Sequence, residues 1–124
     1  MAGKFQTVFC GLAGLVLLAM TTNAQAANRL SAAQIKAFFK GTFVGEYGKS
    51  KTPFVVHASV SGSLKGQAEG KYDNGRWRIR GNQLCIAWKH WNANKEKCSH
   101  VVKIGGWYAA LKSSGKVKLR VRRK

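Results

Sequence analysis

From residue 42 onward the sequence predicts a mainly β fold: a small antiparallel meander of about eight short strands, closed into a barrel or strongly curled. Two observations carry the prediction. Turn-forming clusters recur roughly every ten residues, at Gly48-Lys49-Ser50, Gly62-Ser63, Asn74-Gly75, Gly81-Asn82, Asn92-Ala93-Asn94, Gly105-Gly106 and Ser113-Ser114-Gly115. Between them lie short runs with the two-residue period of half-buried strands, over 42–47, 53–60, 65–72, 76–80, 84–90, 97–104, 107–112 and 116–122. Closing such a meander removes the open edges that invite aggregation.

A leader and a helix precede the strands. Residues 5–20 are apolar almost throughout, Lys4 is the only charge ahead of them, and Ala24-Gln25-Ala26 places small residues where a signal peptidase reads. Residues 1–26 are therefore expected to be a secretory signal peptide cut after Ala26. That leaves 27–124, 98 of the 124 residues, as a single basic β domain, periplasmic or secreted. The apolar stretch is short for a membrane span. Cys10 stands ahead of most of it, the wrong place for a lipid-bearing cysteine. Ser31 opens a short helix: Ser31 and Gln34 fit a capping box, Leu30 and Ile35 a hydrophobic staple, and Gly41 a left-handed stop. Its apolar face of Ile35, Phe38 and Phe39 is expected to pack on the sheet or plug it. Pro53 begins a strand, where its missing N–H costs no ladder bond.

The strand Arg76-Trp77-Arg78-Ile79-Arg80 alternates most cleanly, with Trp77 and Ile79 on a core face and three arginines on the other. Residues 116–122 repeat the pattern, with Lys116, Lys118, Arg120 and Arg122 opposite Val117, Leu119 and Val121. Charges so placed lie about 6–7 Å apart along a strand, near the repeat of phosphates or acidic sugars. Each strand reads either as a cationic rail or as a solvated outer face. Together with Lys89, Arg123 and Trp91, these cations form the candidate polyanion site, with Lys95 and Lys97 close by.

The formal net charge is +18, or +17 once Lys4 leaves with the leader, and Glu46, Glu69, Asp73 and Glu96 are the only acids. Such a charge favours anionic partners. For an exported protein of bacterial type these are lipopolysaccharide, an anionic membrane surface or an acidic polysaccharide, with nucleic acid bound non-specifically. Cys85 and Cys98 remain after the leader is removed. An oxidising compartment is expected to join them, closing a loop of about 14 residues worth about 3 kcal/mol in the chain-entropy model. His90 and His100 lie nearby, but no CxxC or HxxxH spacing supports a metal site, and no cofactor is expected.

Gly75-Arg76-Trp77, then Leu84-Cys85, Trp88 and Cys98, preceded by Leu30-Ser31-Ala32-Ala33, resembles the secreted proteobacterial family labelled domain of unknown function 995. The resemblance spans about residues 30–104. It implies export, the disulfide and a lipocalin-like small β fold, and it brings no activity with it. The lysine- and arginine-rich tail, 112–124, departs from the family pattern.

Catalysis finds no assembled motif. There is no GxSxG elbow, HExxH helix or phosphate loop, the four carboxylates fall mostly at turns, and nothing pairs His57, His90 or His100 with a nucleophile. The chain is expected not to be an enzyme. Trp77 and Trp88 fall on core faces, and Trp91, in a loop, is the aromatic expected to be exposed. The sequence thus favours a monomer that binds anionic envelope components electrostatically. The alternatives are a protein-partner module, such as an enzyme inhibitor presenting the 91–97 loop, and a small-ligand barrel. For the last, Ala68, Ala87 and Ala109 are the only small residues expected to face inward.

Overall fold

A helix, α1 (Ala32–Phe38), opens the computed structural model, which describes residues 28–124; the leader read over residues 1–26 lies outside the described residues. The capping box forms as its spacing predicts. Ser31 Oγ accepts from the Gln34 N–H at 3.3 Å, and Gln34 Oε1 accepts from the Ser31 N–H at 2.8 Å. Seven residues do not hold a helix in water unaided, so α1 depends on its apolar face. Ile35 and Phe38 are buried, as is Phe39 just past the end. Phe38 stacks on Tyr108 at 3.9 Å, and Phe39 meets Trp77 edge-on at 5.2 Å.

Nine antiparallel strands follow in a nearly closed barrel: β1 (Gly41–Tyr47), β2 (Thr52–Ala58), β3 (Ser63–Ala68), β4 (Lys71–Arg80), β5 (Gln83–Trp88), β6 (Lys97–Ser99), β7 (Val101–Ile104), β8 (Trp107–Leu111) and β9 (Val117–Arg123). Their order is β6-β5-β4-β3-β2-β1-β9-β8-β7, so the last strand returns to pair with the first. The two edges, β6 and β7, are halves of one run broken at His100. The sequence expected one strand over 97–104. Pairing with β5 ends at Ser99 and pairing with β8 begins at Val101, because the strand that closes the barrel leaves one neighbour to meet the other.

A second expectation fails at Asn74-Gly75, which is not a turn. The turn is Glu69-Gly70, and β4 runs unbroken through Asn74-Gly75. Gly75 stands directly opposite Trp88, whose indole occupies the space a side chain at 75 would need. The glycine serves a close approach rather than a reversal.

In an up-and-down meander, alternate turns share an end. Turns 48–51, 69–70, 89–96 and 112–116 lie at one end of the barrel, and turns 59–62, 81–82 and 105–106 at the other. The helix plugs the second end, where Ile35, Phe38, Phe39 and Phe43 pack with Leu64, Leu84 and Val101. The Ala32 N–H is held there by Asn82 Oδ1 at 3.0 Å. Arg123 does not extend a cationic rail. It donates to the Phe38 and Lys40 carbonyls at 2.8 and 3.0 Å, satisfying the C-terminal end of α1.

Cys85 and Cys98 are joined, directly opposite each other in β5 and β6 with Cα atoms 4.0 Å apart. The bond ties the three-residue β6, the shortest strand, into the wall. Replacing both cysteines by serine is expected to lower unfolding stability by about 3 kcal/mol, measured by urea denaturation against the oxidised protein.

Candidate functional site: a cavity with a lysine rim

The side chains of α1 fill only one end of the lumen. Toward the other end a cavity of about 900 Å³ opens, within the range that holds small-molecule ligands. Two glycine–aromatic pairs make room for it. Gly45 stands directly opposite Phe54, and Gly75 directly opposite Trp88. A Cβ on Gly45 would lie 2.5 Å from the Phe54 ring, and one on Gly75 would lie 2.9 Å from the indole of Trp88. Each ring lies back over bare backbone along the wall instead of crossing the lumen. Small residues at Ala68, Ser99 and Ala110 leave the rest open, above a floor of Phe38, Val56, Leu84 and Val121. Of the alanines expected inside, only Ala68 lines the cavity. Ala87 and Ala109 alternate with lining residues and face outward, and Ala110 takes the inner place.

Five lysines, Lys49, Lys71, Lys97, Lys112 and Lys118, line the mouth, with Glu69 the one acid among the lining residues. None of them forms an ion pair among the described residues. Lys118 arrives there through a bulge. The β8–β9 register steps from Ala110↔Leu119 to Leu111↔Val117, so Lys118 is an extra residue that leaves the outer-face alternation. The same step exposes Val117, which the sequence placed on the core face. Partial burial, and then the charges of Lys97 and Lys112, push the Lys118 pKa below the ordinary lysine value. Three like charges thus crowd the mouth of an apolar cavity.

Trp91 stands at the same mouth, tilted against Trp88 with ring centres 4.9 Å apart, and it is partly exposed as expected. Asp73, a buried carboxylate, holds it there. Asp73 accepts the backbone N–H groups of His90 and Trp91, each at 2.9 Å, and that of Asn74 at 2.9 Å, and it meets the His90 ring at 3.1 Å. Burial works to raise the Asp73 pKa, but those donors together outweigh it and bring the pKa down to about 2.

The cations expected to form rails are divided by closure. β4 and β9 lie four strand positions apart in either direction around the barrel, with β6 and β7 counted as one, so the two rails occupy opposite walls. Most of their arginines are already engaged. Arg78 binds Glu96 through two hydrogen bonds of 2.7 and 2.8 Å, Arg80 reaches the same carboxylate at 3.4 Å, and Arg76 donates to Asn94 at 2.9 Å. The hydrogen bonds from Arg78 hold the Glu96 carboxyl below the usual range against the opposing effect of burial. These contacts hold the 89–96 loop against the outer wall beside β4 and β5, where Cys85 and Ala87 are buried. On the far wall Arg120 pairs with Glu46 at 2.7 Å and lies over Trp107 at 4.1 Å, with Arg122 over the same ring at 5.2 Å. Lys89 and Lys116 sit in turns at the open end.

Cys85, Cys98 and Glu96 bring ligand-type atoms within 4.8 Å of one another. The two sulfurs are bonded to each other and Glu96 is bound by Arg78, so the trio is a staple rather than a metal centre. No helix among the described residues is long and apolar enough to cross a membrane. No family model, curated protein or solved structure matches the chain.

The rim lysines at 49, 71 and 112 were missed by sequence reasoning, which placed Lys97 only beside the candidate site, although a signal for them exists. In a meander every second turn shares an end, and these lysines fall in or directly beside the turns of one end.

The Asp73 latch has a defined pH response. Its carboxyl titrates below the ordinary 3.8, so its stabilising contribution is present above pH 3.8 and is lost as pH falls from there through about 2. The stability gap between the native protein and Asp73→Asn, measured by urea denaturation, is expected to narrow across that window. A gap independent of pH would show that the carboxylate charge is not what anchors Trp91.

Proposed function

We propose that the protein binds an anionic amphiphile, with the apolar chain in the cavity and the acidic headgroup among the rim lysines. The observation that carries this reading is the crowding of Lys118, Lys97 and Lys112, without a paired acid among the described residues, at the mouth of an apolar lumen. Like charges held together in partly desolvated surroundings destabilise the empty protein, and an anion relieves them. The substrate class is a single-chain lipid acid, such as a fatty acid or a lysophospholipid, bound without chemical change by one chain. The leader read in residues 1–26 and the Cys85–Cys98 bond support action in an oxidising, exported location, where such molecules derive from the envelope. Electrostatic binding along the outer arginines has less support, because the two rails face apart and their arginines are largely engaged.

Titration of the purified protein with a fluorescent fatty acid is expected to saturate at one ligand per chain, and the corresponding uncharged alcohol to bind more weakly. Lys118→Met is expected to weaken fatty-acid binding about tenfold or more. The same substitution is expected to raise the stability of the ligand-free protein slightly, by less than about 1 kcal/mol, since the ammonium is partly in water. Ala110→Phe, which fills the lumen, is expected to abolish uptake. Absence of saturable binding to the native protein overturns the proposal.

A further inference from the structure

We infer that the open end of the barrel docks on an anionic membrane surface, turning the cavity mouth toward the bilayer. The purpose of that docking, loading or unloading the cavity, rests on the function proposed above; the docking itself does not.

The two ends of the barrel differ sharply in their turns. Those at the open end carry Lys49, Lys51, Lys89, Lys95, Lys112 and Lys116. Their acids are Glu69 and Glu96, and Glu96 is held by Arg78 and Arg80. The closed-end turns, Ser59-Val60-Ser61-Gly62, Gly81-Asn82 and Gly105-Gly106, carry no charge. Closing the meander therefore gathers the lysines of three separate hairpins onto one face.

The exposed aromatic groups stand on the same face, whereas the exposed large apolar residues at the closed end are the aliphatic Val60 and Ile104. Tyr47, Tyr72, Trp91 and Val117 are all substantially exposed, with Tyr72 at 74%. Tyr47 and Tyr72 sit at the open-end limits of β1 and β4, Val117 begins β9, and Trp91 is pinned at the mouth by Asp73. A soluble polyanion would stack sugars or bases on the rings but has no use for the exposed valine or for a ring at the mouth of an apolar cavity. A bilayer with acidic headgroups uses both components, since lysine ammonium groups meet the phosphates while tryptophan and tyrosine rings settle at headgroup depth.

The test is sedimentation with vesicles of phosphatidylcholine alone and of phosphatidylcholine containing phosphatidylglycerol. Every variant is expressed from the full chain, so that all share the same N-terminus. The native protein is expected to bind the anionic vesicles only, less tightly as salt rises. The triple variant Lys51→Gln, Lys95→Gln, Lys116→Gln removes open-end charges that do not line the cavity. It is expected to lose about 100-fold in vesicle affinity while keeping its affinity for a soluble fatty acid. The triple variant Lys36→Gln, Lys40→Gln, Lys124→Gln removes the same charge at or near the closed end and is expected to change vesicle binding less than threefold, a small effect beside the other. A blue shift of fluorescence on adding anionic vesicles is expected to shrink in Trp91→Phe.

Equal losses in the two triple variants would reduce the effect to net charge and overturn the inference, as would unchanged binding in the open-end variant. Open-end-dependent binding to an acidic polysaccharide or an oligonucleotide, with none to vesicles, would also overturn it and make this face a soluble-polyanion site. Vesicle binding that survives Ala110→Phe is expected, since the docking does not need an open cavity; open-end-dependent vesicle binding by a native protein that takes up no fatty acid would keep the docking and discard the cavity function.

Discussion

A closed sheet has one lumen and two ends, and the packing of that lumen governs everything else in this molecule. An eight-position barrel is just wide enough for side chains to fill it. Here they fill it from one side only. The seven-residue helix inserts Ile35 and Phe38 at one end, Phe39 follows just past it, and Phe43, Trp77 and Tyr108 complete an aromatic cluster around them. That plug stays in place because its last carbonyls are held by Arg123, the final residue of the strand that closes the barrel on β1. Helix, closing strand and core therefore depend on one another. At the far end, aromatic rings that could fill the lumen lie against glycines instead, and the cavity is the space they vacate.

The two kinds of cation are used differently. Arginines lie mostly on the walls and are bound: Arg78 and Arg80 to Glu96, Arg120 to Glu46 and Trp107, Arg123 to backbone carbonyls. The planar guanidinium suits such fixed, multidentate work. Most lysines occupy the rim and the open-end turns, as charges on flexible stems whose ion-pairing capacity is unused among the described residues. With so few acids in the chain, and with Asp73, Glu46 and Glu96 committed to structural contacts, the surplus positive charge concentrates where the cavity opens.

Much of this architecture is legible in the sequence where the signal is local. The capping box at Ser31 and Gln34 depends on four consecutive residues, and the strand pattern from 42 onward depends on alternation over five to eight. The Asn74-Gly75 misreading shows the limit of local signals. The same dipeptide that specifies a tight turn also specifies a gap for a neighbour's ring, and only the identity of that neighbour, Trp88, separates the two. The β9 rail misleads for a related reason. Strict alternation places Lys118 outside, but a one-residue bulge against β8 carries it to the mouth, and a bulge is a property of a strand pair rather than of a strand.

By itself the sequence determined the strand-rich class, the helix and its cap, the pair of cysteines and the excess of positive charge, because each follows from the chemistry of neighbouring residues or from simple composition. Only the tertiary structure decided that the charged strands face apart, that lysines from alternate turns converge, and that a cavity lies beneath them. Those outcomes depend on which strands become neighbours around a closed sheet and how their registers step. Closure couples residues as distant as Gly45 and Arg120, which no local pattern encodes.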